Sequence, residues 1–246
     1  PDGSTVTTAS VDFFARVWDV ASGECLQVLQ VNGGIVSYCC FSPDGTLLAT
    51  HCKNNTCSLW AIKSRKEQED PILVLESLHK NSMYGISFSP DGEHIATVSS
   101  YKECCIWSVK TGLCEMKLNT EYIIQGLAFS PTGARLASWA DDVIHLWDTR
   151  SGEPIMTYVA KGASISDKCI FSPSGDLLAS SFEMKCYLWD ANTGTCISVL
   201  NGHDGGVTSF SFSPSGKSLA TSSKDATCMI WDVEKRVEES KRGSEE

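Results

Sequence analysis

Cysteine, histidine and carboxylate side chains carry most protein chemistry, and this chain holds 12 Cys, 5 His and 30 Asp plus Glu among its 246 residues. A structural zinc site needs paired thiolates or imidazoles at short spacing, such as two Cys separated by two residues. No such pair occurs, and the nearest thing to a ligand set is the loose cluster His51, Cys52 and Cys57. The cysteines recur in register instead. Cys57, Cys104, Cys186 and Cys228 each stand three residues before a Trp, where the other copies carry Ala15 and Ile144, and Cys25, Cys114 and Cys196 each stand seven after one. A slot that accepts Cys, Ile or Ala is that of a small buried hydrophobe. Spread through a long chain with no secretory leader, the thiols read as reduced, which points to the cytoplasm or nucleus. Adjacent pairs such as Cys39–Cys40 and Cys104–Cys105 must point to opposite faces of a strand, so they cannot bond to each other.

Acid–base catalysis needs carboxylates, His or a nucleophile that converge. The acids fall in turn sequences (Asp44, Asp91, Asp141, Asp142), in the charged stretch Ile62 to Asp70 (Glu67, Glu69, Asp70) and in the tail from Glu234 to Glu246. No Gly-rich phosphate loop, nucleophile elbow or His-Glu metal motif is present. The chain therefore reads as no enzyme, with no cofactor and no metal. A net charge of −10 and a pI near 5.0 argue against nucleic acid, whose footprint is clustered Lys and Arg. No apolar run approaches the ~18 residues of a membrane helix, so no membrane association is expected.

Whatever these residues do is positioned by a repeat. Phe41-Ser42-Pro43-Asp44-Gly45 returns as Phe88-Ser89-Pro90-Asp91-Gly92, Phe129-Ser130-Pro131-Thr132-Gly133, Phe171-Ser172-Pro173-Ser174-Gly175 and Phe212-Ser213-Pro214-Ser215-Gly216. A shortened copy, Pro1-Asp2-Gly3, opens the chain. Each Pro is followed 16 or 17 residues later by Trp18, Trp60, Trp107, Trp147, Trp189 or Trp231, at spacings of 42, 47, 40, 42 and 42. The long spacing is made by the insertion Ile62 to Asp70, a charged loop with a basic cluster at Lys63, Arg65 and Lys66.

Within a copy the pattern is that of short strands. Val207 to Phe212 alternates apolar with small or polar residues, the period of a strand. Ser213-Pro214-Ser215-Gly216 is turn chemistry, Pro fixing φ and Gly accepting positive φ. Ser218 to Ser222 and Thr227 to Val233 follow as strands, and a Gly after the Trp (Gly23, Gly112, Gly152, Gly194) opens a fourth, such as Glu24 to Gln30 or Thr195 to Leu200. Helical periodicity is absent, and the tail from residue 234 reads as disordered.

These residues resemble the WD-repeat (WD40) β-propeller family over nearly the whole chain. Trp-Asp closes four copies (Trp18-Asp19, Trp147-Asp148, Trp189-Asp190, Trp231-Asp232), whereas two read Trp60-Ala61 and Trp107-Ser108. Gly202-His203 stands 28 residues before Trp231, and a turn Asp six before the Trp occurs as Asp12, Asp141 and Asp225. The resemblance implies an all-β propeller of four-stranded antiparallel blades over residues 1–233. It also implies that His203, a Ser or Thr, Asp225 and Trp231 hydrogen-bond inside the last blade, the remaining copies having only part of that set. The blades around Trp60 and Trp107 are then expected to rest mostly on apolar packing. The first copy lacks its first strand and the last its fourth, giving 3, 16 and 3 strands. The expectation is therefore part of a larger, seven-bladed ring whose unpaired edges are open to another chain.

The family implies a scaffold that presents loop surfaces to proteins or peptides. The alternatives are the partner-recognition end of a larger regulatory protein, such as a signalling ATPase or a ubiquitin-ligase adaptor, and a propeller enzyme. Partners of the family dock on the face made by loops entering the first strand and by turns before the third. Mapped here, that face comprises Ile35, Ser37, Lys53, Tyr84, Ile123, Gln125, Ile165, Asp167, Phe182, Thr208 and Lys224. Tyr84 and Phe182 read as its aromatic anchors. The isoleucines have a second reading, as inward caps on the blades.

Overall fold

A computed structural model describes residues 2–32, 34–52, 56–62, 70–75, 83–99, 102–140, 143–159 and 165–243. Its described residues form 22 strands and one helix, and the chain divides into two compact units, 1–124 and 125–246.

The first unit carries three antiparallel sheets. One is β1 (Thr5–Ala9), β2 (Phe14–Asp19) and β3 (Cys25–Gln30). The next is β4 (Val36–Phe41), β5 (Leu47–Cys52), β6 (Cys57–Ala61) and β7 (Leu73–Leu75), and the third is β8 (Met83–Phe88), β9 (His94–Ser99), β10 (Glu103–Ser108) and β11 (Cys114–Asn119). The second unit repeats the plan. Its sheets are β12 (Gly126–Phe129), β13 (Arg135–Ala140), β14 (Val143–Asp148) and β15 (Pro154–Val159), then β16 (Ile165–Phe171), β17 (Leu177–Phe182), β18 (Lys185–Asp190) and β19 (Cys196–Asn201). It ends with β20 (Val207–Phe212), β21 (Ser218–Ser223) and β22 (Cys228–Asp232), followed by α1 (Val233–Gly243). The first and last sheets thus hold three strands each and the others four, as the repeat predicts.

The sheets are meanders, and the Ser-Pro-x-Gly connections within them are tight turns of defined chemistry. In the turn after β4, Gly45 at φ +75° closes onto the Ser42 carbonyl, and the Ser42 hydroxyl accepts from Leu47 N–H. Only Gly takes that φ without strain. Period-2 burial then fuses neighbouring sheets. Ala15, Val17 and Leu29 pack on Leu48, Cys52 and Trp60. Ala49, Cys57 and Leu59 pack on Phe88, Ile95 and Trp107. In the second unit Ile144, Leu146 and Tyr158 meet Leu178, Phe182 and Trp189, and Cys186, Leu188 and Leu200 meet Val207, Phe210 and Leu219. A sheet that is apolar on both faces needs a neighbour on each, which is why the repeats stack.

The tail corrects the sequence reading. Residues 233–243 are helical, and α1 is seated by Val233, which is buried, and Val237, one turn on, beside Leu177 and Ile197. Two apolar residues four apart are too short a stripe to show as a helical period.

Candidate protein-interaction surface

The blades rest on one recurring bond. The indole N–H of Trp18, Trp60, Trp107, Trp147, Trp189 and Trp231 donates to the hydroxyl of Thr8, Thr50, Thr97, Ser138, Ser180 and Thr221, all at 2.8–2.9 Å. The blades of Trp60 and Trp107 keep this bond despite lacking Trp-Asp, so packing alone does not hold them. The last blade extends the bond into a chain. His203 Nε2 lies 2.8 Å from Thr221 Oγ1, and its Nδ1 lies 2.9 Å from Asp225. With the proton on Nδ1, His203 donates to Asp225 and accepts from Thr221, and every member is satisfied. The Thr227 hydroxyl, then its N–H, His203 and the Asp204 N–H hold the Asp225 carboxyl well below the usual carboxylate range, against an opposing effect of burial. Asp12 has no such partner and instead accepts from Phe14 N–H and pairs with Arg16 at 2.8 Å. Asp141 lies outside the described residues.

All twelve thiols are free. Burial pushes Cys186 up to about 12 and Cys52 up to about 11, so neither forms a thiolate near neutrality. The sulfurs of Cys25, Cys114 and Cys196 point at the carbonyl two residues on. Cys39 and Cys40 face opposite junctions, as strand alternation requires. The His51, Cys52, Cys57 grouping comes apart for the same reason. His51 pairs with Cys57 on one face of the β5–β6 ladder, and Cys52 packs on the other with Leu48 and Trp60. Ligand atoms of Asp91, Glu93 and His94 do lie within 4.8 Å of one another. Asp91, however, is held by the Ser89 hydroxyl and Glu93 N–H, and His94 pairs with Glu115 at 3.1 Å.

The residues named for partner contact divide. Ser37, Ile123, Gln125, Thr208 and Lys224 are exposed and Ile35 is half-buried. Lys53 lies outside the described residues, as do the side chains of Tyr84, Ile165 and Asp167. The charged insertion at residues 63–69 lies outside them too.

Phe182 is a correction. It is 2% exposed, ends β17 and packs with Trp139, Ile144 and Trp189. The reason is a length difference between turns. The Ser or Thr and the Trp are 10 residues apart in four blades but 9 apart at Ser138–Trp147 and Ser180–Trp189. Counting back from the Trp therefore lands in a turn at Val11 and Lys224. In the two copies with the shorter spacing it lands on the last strand residue, Ala140 or Phe182, and both are buried.

Among the described residues, the exposed aromatic on such a turn is Phe13. It is 51% exposed, its neighbour Val11 is 72% exposed, and its backbone sits at φ +73°. Lys102, Glu183 and Ala226 take positive φ in the matching turns. A bulky side chain there is an outlier. Phe13 O accepts from Val31 N–H and Ser10 O from Val36 N–H, which fastens this turn to Ile35 and the start of β4, where Ser37 lies. In the second unit Glu183 O accepts from Val207 N–H and Gly206 O from Lys224 N–H, so Met184, Thr208 and Lys224 share a similar rim.

The family model described as "WD domain, G-beta repeat" matches residues 23–61, 71–108, 152–190 and 194–232, more than half of the chain. The chain belongs to the WD-repeat family. Between the second and third matches, β12–β14 have the same order and the same Trp-to-Ser bond. The chain is 34% identical over 84 residues to Periodic tryptophan protein 2 of Saccharomyces cerevisiae, a match covering 34% of this chain and 9% of that protein. It is 42% identical over 65 residues to the Guanine nucleotide-binding protein subunit beta of Arabidopsis thaliana, covering 24% and 17%. A third WD-repeat relative is the Serine-threonine kinase receptor-associated protein of Dictyostelium discoideum, 35% identical over 60 residues, covering 24% and 20%. The matched segments thus span a fifth or less of these relatives. No helix among the described residues is long and apolar enough to cross a membrane.

Proposed function

We propose that this WD-repeat chain is a protein-interaction scaffold without chemistry of its own, and that one contact surface of its first unit is the turn Val11–Phe13 with Ile35 and Ser37. The observation that carries this reading is Phe13, an exposed aromatic held in a strained backbone conformation on a turn fastened by two backbone bonds. The same positive φ recurs at Lys102, Glu183 and Ala226, so the turn sets the backbone, and what singles out Phe13 is a large apolar side chain kept exposed at that costly position. Large apolar groups ringed by polar ones are the usual hot-spot composition. The relatives' names support the same reading, since one is a subunit of a nucleotide-binding protein and another is associated with a receptor. Ile123 at the end of the first unit, and Gln125, Met184, Thr208 and Lys224 in the second, are further contact residues on this proposal. The free thiols favour a reducing compartment, cytoplasmic or nuclear. Quantitative capture of partners by the chain and by its Phe13→Gly variant tests the reading. Loss of capture by a folded variant supports it, and undiminished capture overturns the placement.

A further inference from the structure

Two thiols of the third sheet, Cys105 and Cys114, meet within the first unit and take no part in the contact surface proposed above. Cys105 stands two residues before Trp107 and Cys114 seven after it. The same positions hold Arg16 and Cys25 around Trp18, His145 and Pro154 around Trp147, and Tyr187 and Cys196 around Trp189. Only the copy of Trp107 carries Cys at both.

The β10–β11 ladder brings them together. Cys105 stands opposite Lys117 and Trp107 opposite Cys114, the register shifting between Ile106 and Trp107. That bulge takes up Glu115 as the extra residue and turns Cys114 onto the face of Cys105 and Trp107. Both thiols pack in the junction with the second sheet, Cys105 fully buried and Cys114 half-buried at its edge. The Cys105 thiol hydrogen-bonds to Cys114, whose own S–H donates to the Met116 carbonyl at 3.4 Å. The blade of Trp189 shows that the two positions are neighbours in general. There burial first, and then Cys196, raise the Tyr187 hydroxyl above its ordinary range.

Two sulfurs side by side, one reachable from outside, are a ligand pair for a soft cation. Burial first, and then Cys114, push the Cys105 thiol far above its ordinary range, so the pair stays protonated while it is empty. A cation between the sulfurs removes that cost, because a coordinated thiol gives up its proton outright. The ligand count decides the ion. A structural zinc site takes four ligands. Among the described residues no third Cys, His, Asp or Glu atom completes a set with these two. Two thiolates alone suit copper(I), which soft sulfur ligands select. One copper(I) on two thiolates carries a net charge of −1, and a cation stands beside it. Lys117 pairs with Glu103 at 3.2 Å, and Glu103 first, then Cys105 and Cys114, strengthen the hold of its ammonium on the proton. We propose that Cys105 and Cys114 form a two-thiolate site for a soft monovalent cation of the copper(I) class. Binding exchanges both S–H protons for the ion, forms two copper–sulfur bonds and changes no oxidation state.

Anaerobic titration of the full 246-residue chain with copper(I), against the chelator bicinchoninate as competitor, tests this, with circular dichroism confirming that each variant is folded. The chain is expected to hold one ion against the competitor. Cys114→Ser and Cys105→Ser are each expected to weaken that binding at least tenfold, and the half-buried Cys114 carries the test should the Cys105 variant fail to fold. Cys25→Ser is the control, since Cys25 holds the position of Cys114 but has Arg16 where the second thiol would be. It is expected to keep the ion. Two protons leave on binding, so the affinity should fall about a hundredfold per pH unit below neutrality, against about tenfold for a single thiol. A chain that holds no ion against the competitor overturns the proposal. So do Cys105 and Cys114 variants that keep the ion, a Cys25 variant that loses it equally, or the pH slope of a single thiol.

Discussion

Phe182 meets Tyr187 edge to face, with ring centroids 4.8 Å apart and an interplanar angle of 86°. Tyr187 in turn stacks on Trp189 at 5.7 Å, so the three rings form a continuous wall in the middle of the second unit's core. Phe182→Ala removes the buried end of that wall and leaves a cavity beside Trp139 and Ile144. The expected loss is ~3–5 kcal/mol of unfolding free energy, the usual range for a buried Phe. Urea denaturation measures it. A loss below 1 kcal/mol would return Phe182 to the surface.

Gly126 stands opposite Trp139 in the β12–β13 ladder, and a Cβ on it would run into the Trp139 ring. Trp139 is buried against Phe182 and Trp189 and has nowhere to swing. Gly126→Ala should therefore cost ~1–3 kcal/mol through overpacking. The cost should shrink on a Trp139→Leu background, because the two positions share one space. Additive losses in the double variant would show that the glycine is needed for another reason.

What was legible in the residues is what the repeat enforces locally. The Phe-Ser-Pro-x-Gly turn fixes a backbone reversal wherever it occurs, and the strand-by-strand plan follows. The Trp slots were legible too, because each needs a hydroxyl within reach. The side-chain direction at Phe182 was not, since one residue fewer in a turn changes which position is the last of the strand. Phe13 was missed for a related reason. The position before the turn Asp drew notice, whereas the strained position after it did not. The burial of a Cys slot could be read from its exchange with Ile and Ala. That Cys228 is the exposed member could not, because the adjoining sheet decides it. Helix α1 escaped notice because its fit to Leu177 and Ile197 is tertiary.

His51 predicts a pH dependence. It is 2% exposed, and neither ring nitrogen has a partner among the described residues. Burial pulls its pKa down from 6.5 to about 4. The unfolded chain therefore binds a proton near pH 6.5 while the folded chain resists it down to about pH 4. Between those values the unfolded state holds more protons, so stability rises with pH. His51 penalises nothing above pH ~6.5 and destabilises progressively below it, by about 3 kcal/mol once pH reaches ~4. His51→Leu keeps an apolar side chain there and should remove that part of the slope. Urea midpoints at pH 7 and pH 4.5 compare the two proteins, which differ in no other residue. An unchanged slope in the variant would place the acid sensitivity elsewhere.

Phe13 sets stability against binding. A non-glycine residue at φ +73° costs on the order of 1–3 kcal/mol, and a half-exposed ring recovers little of that by burial. Phe13→Gly removes the strain, so the variant should unfold no earlier than the parent and is expected to gain ~1 kcal/mol. If the ring is a contact anchor, the same variant should lose ~2 kcal/mol of partner affinity, the scale of a hot spot. Lys102→Gly relieves the same backbone in the matching turn of the third sheet and serves as the control. It should gain stability without losing affinity. Equal loss of binding in both variants would trace the effect to turn rigidity, and loss in neither would remove Phe13 from the contact surface.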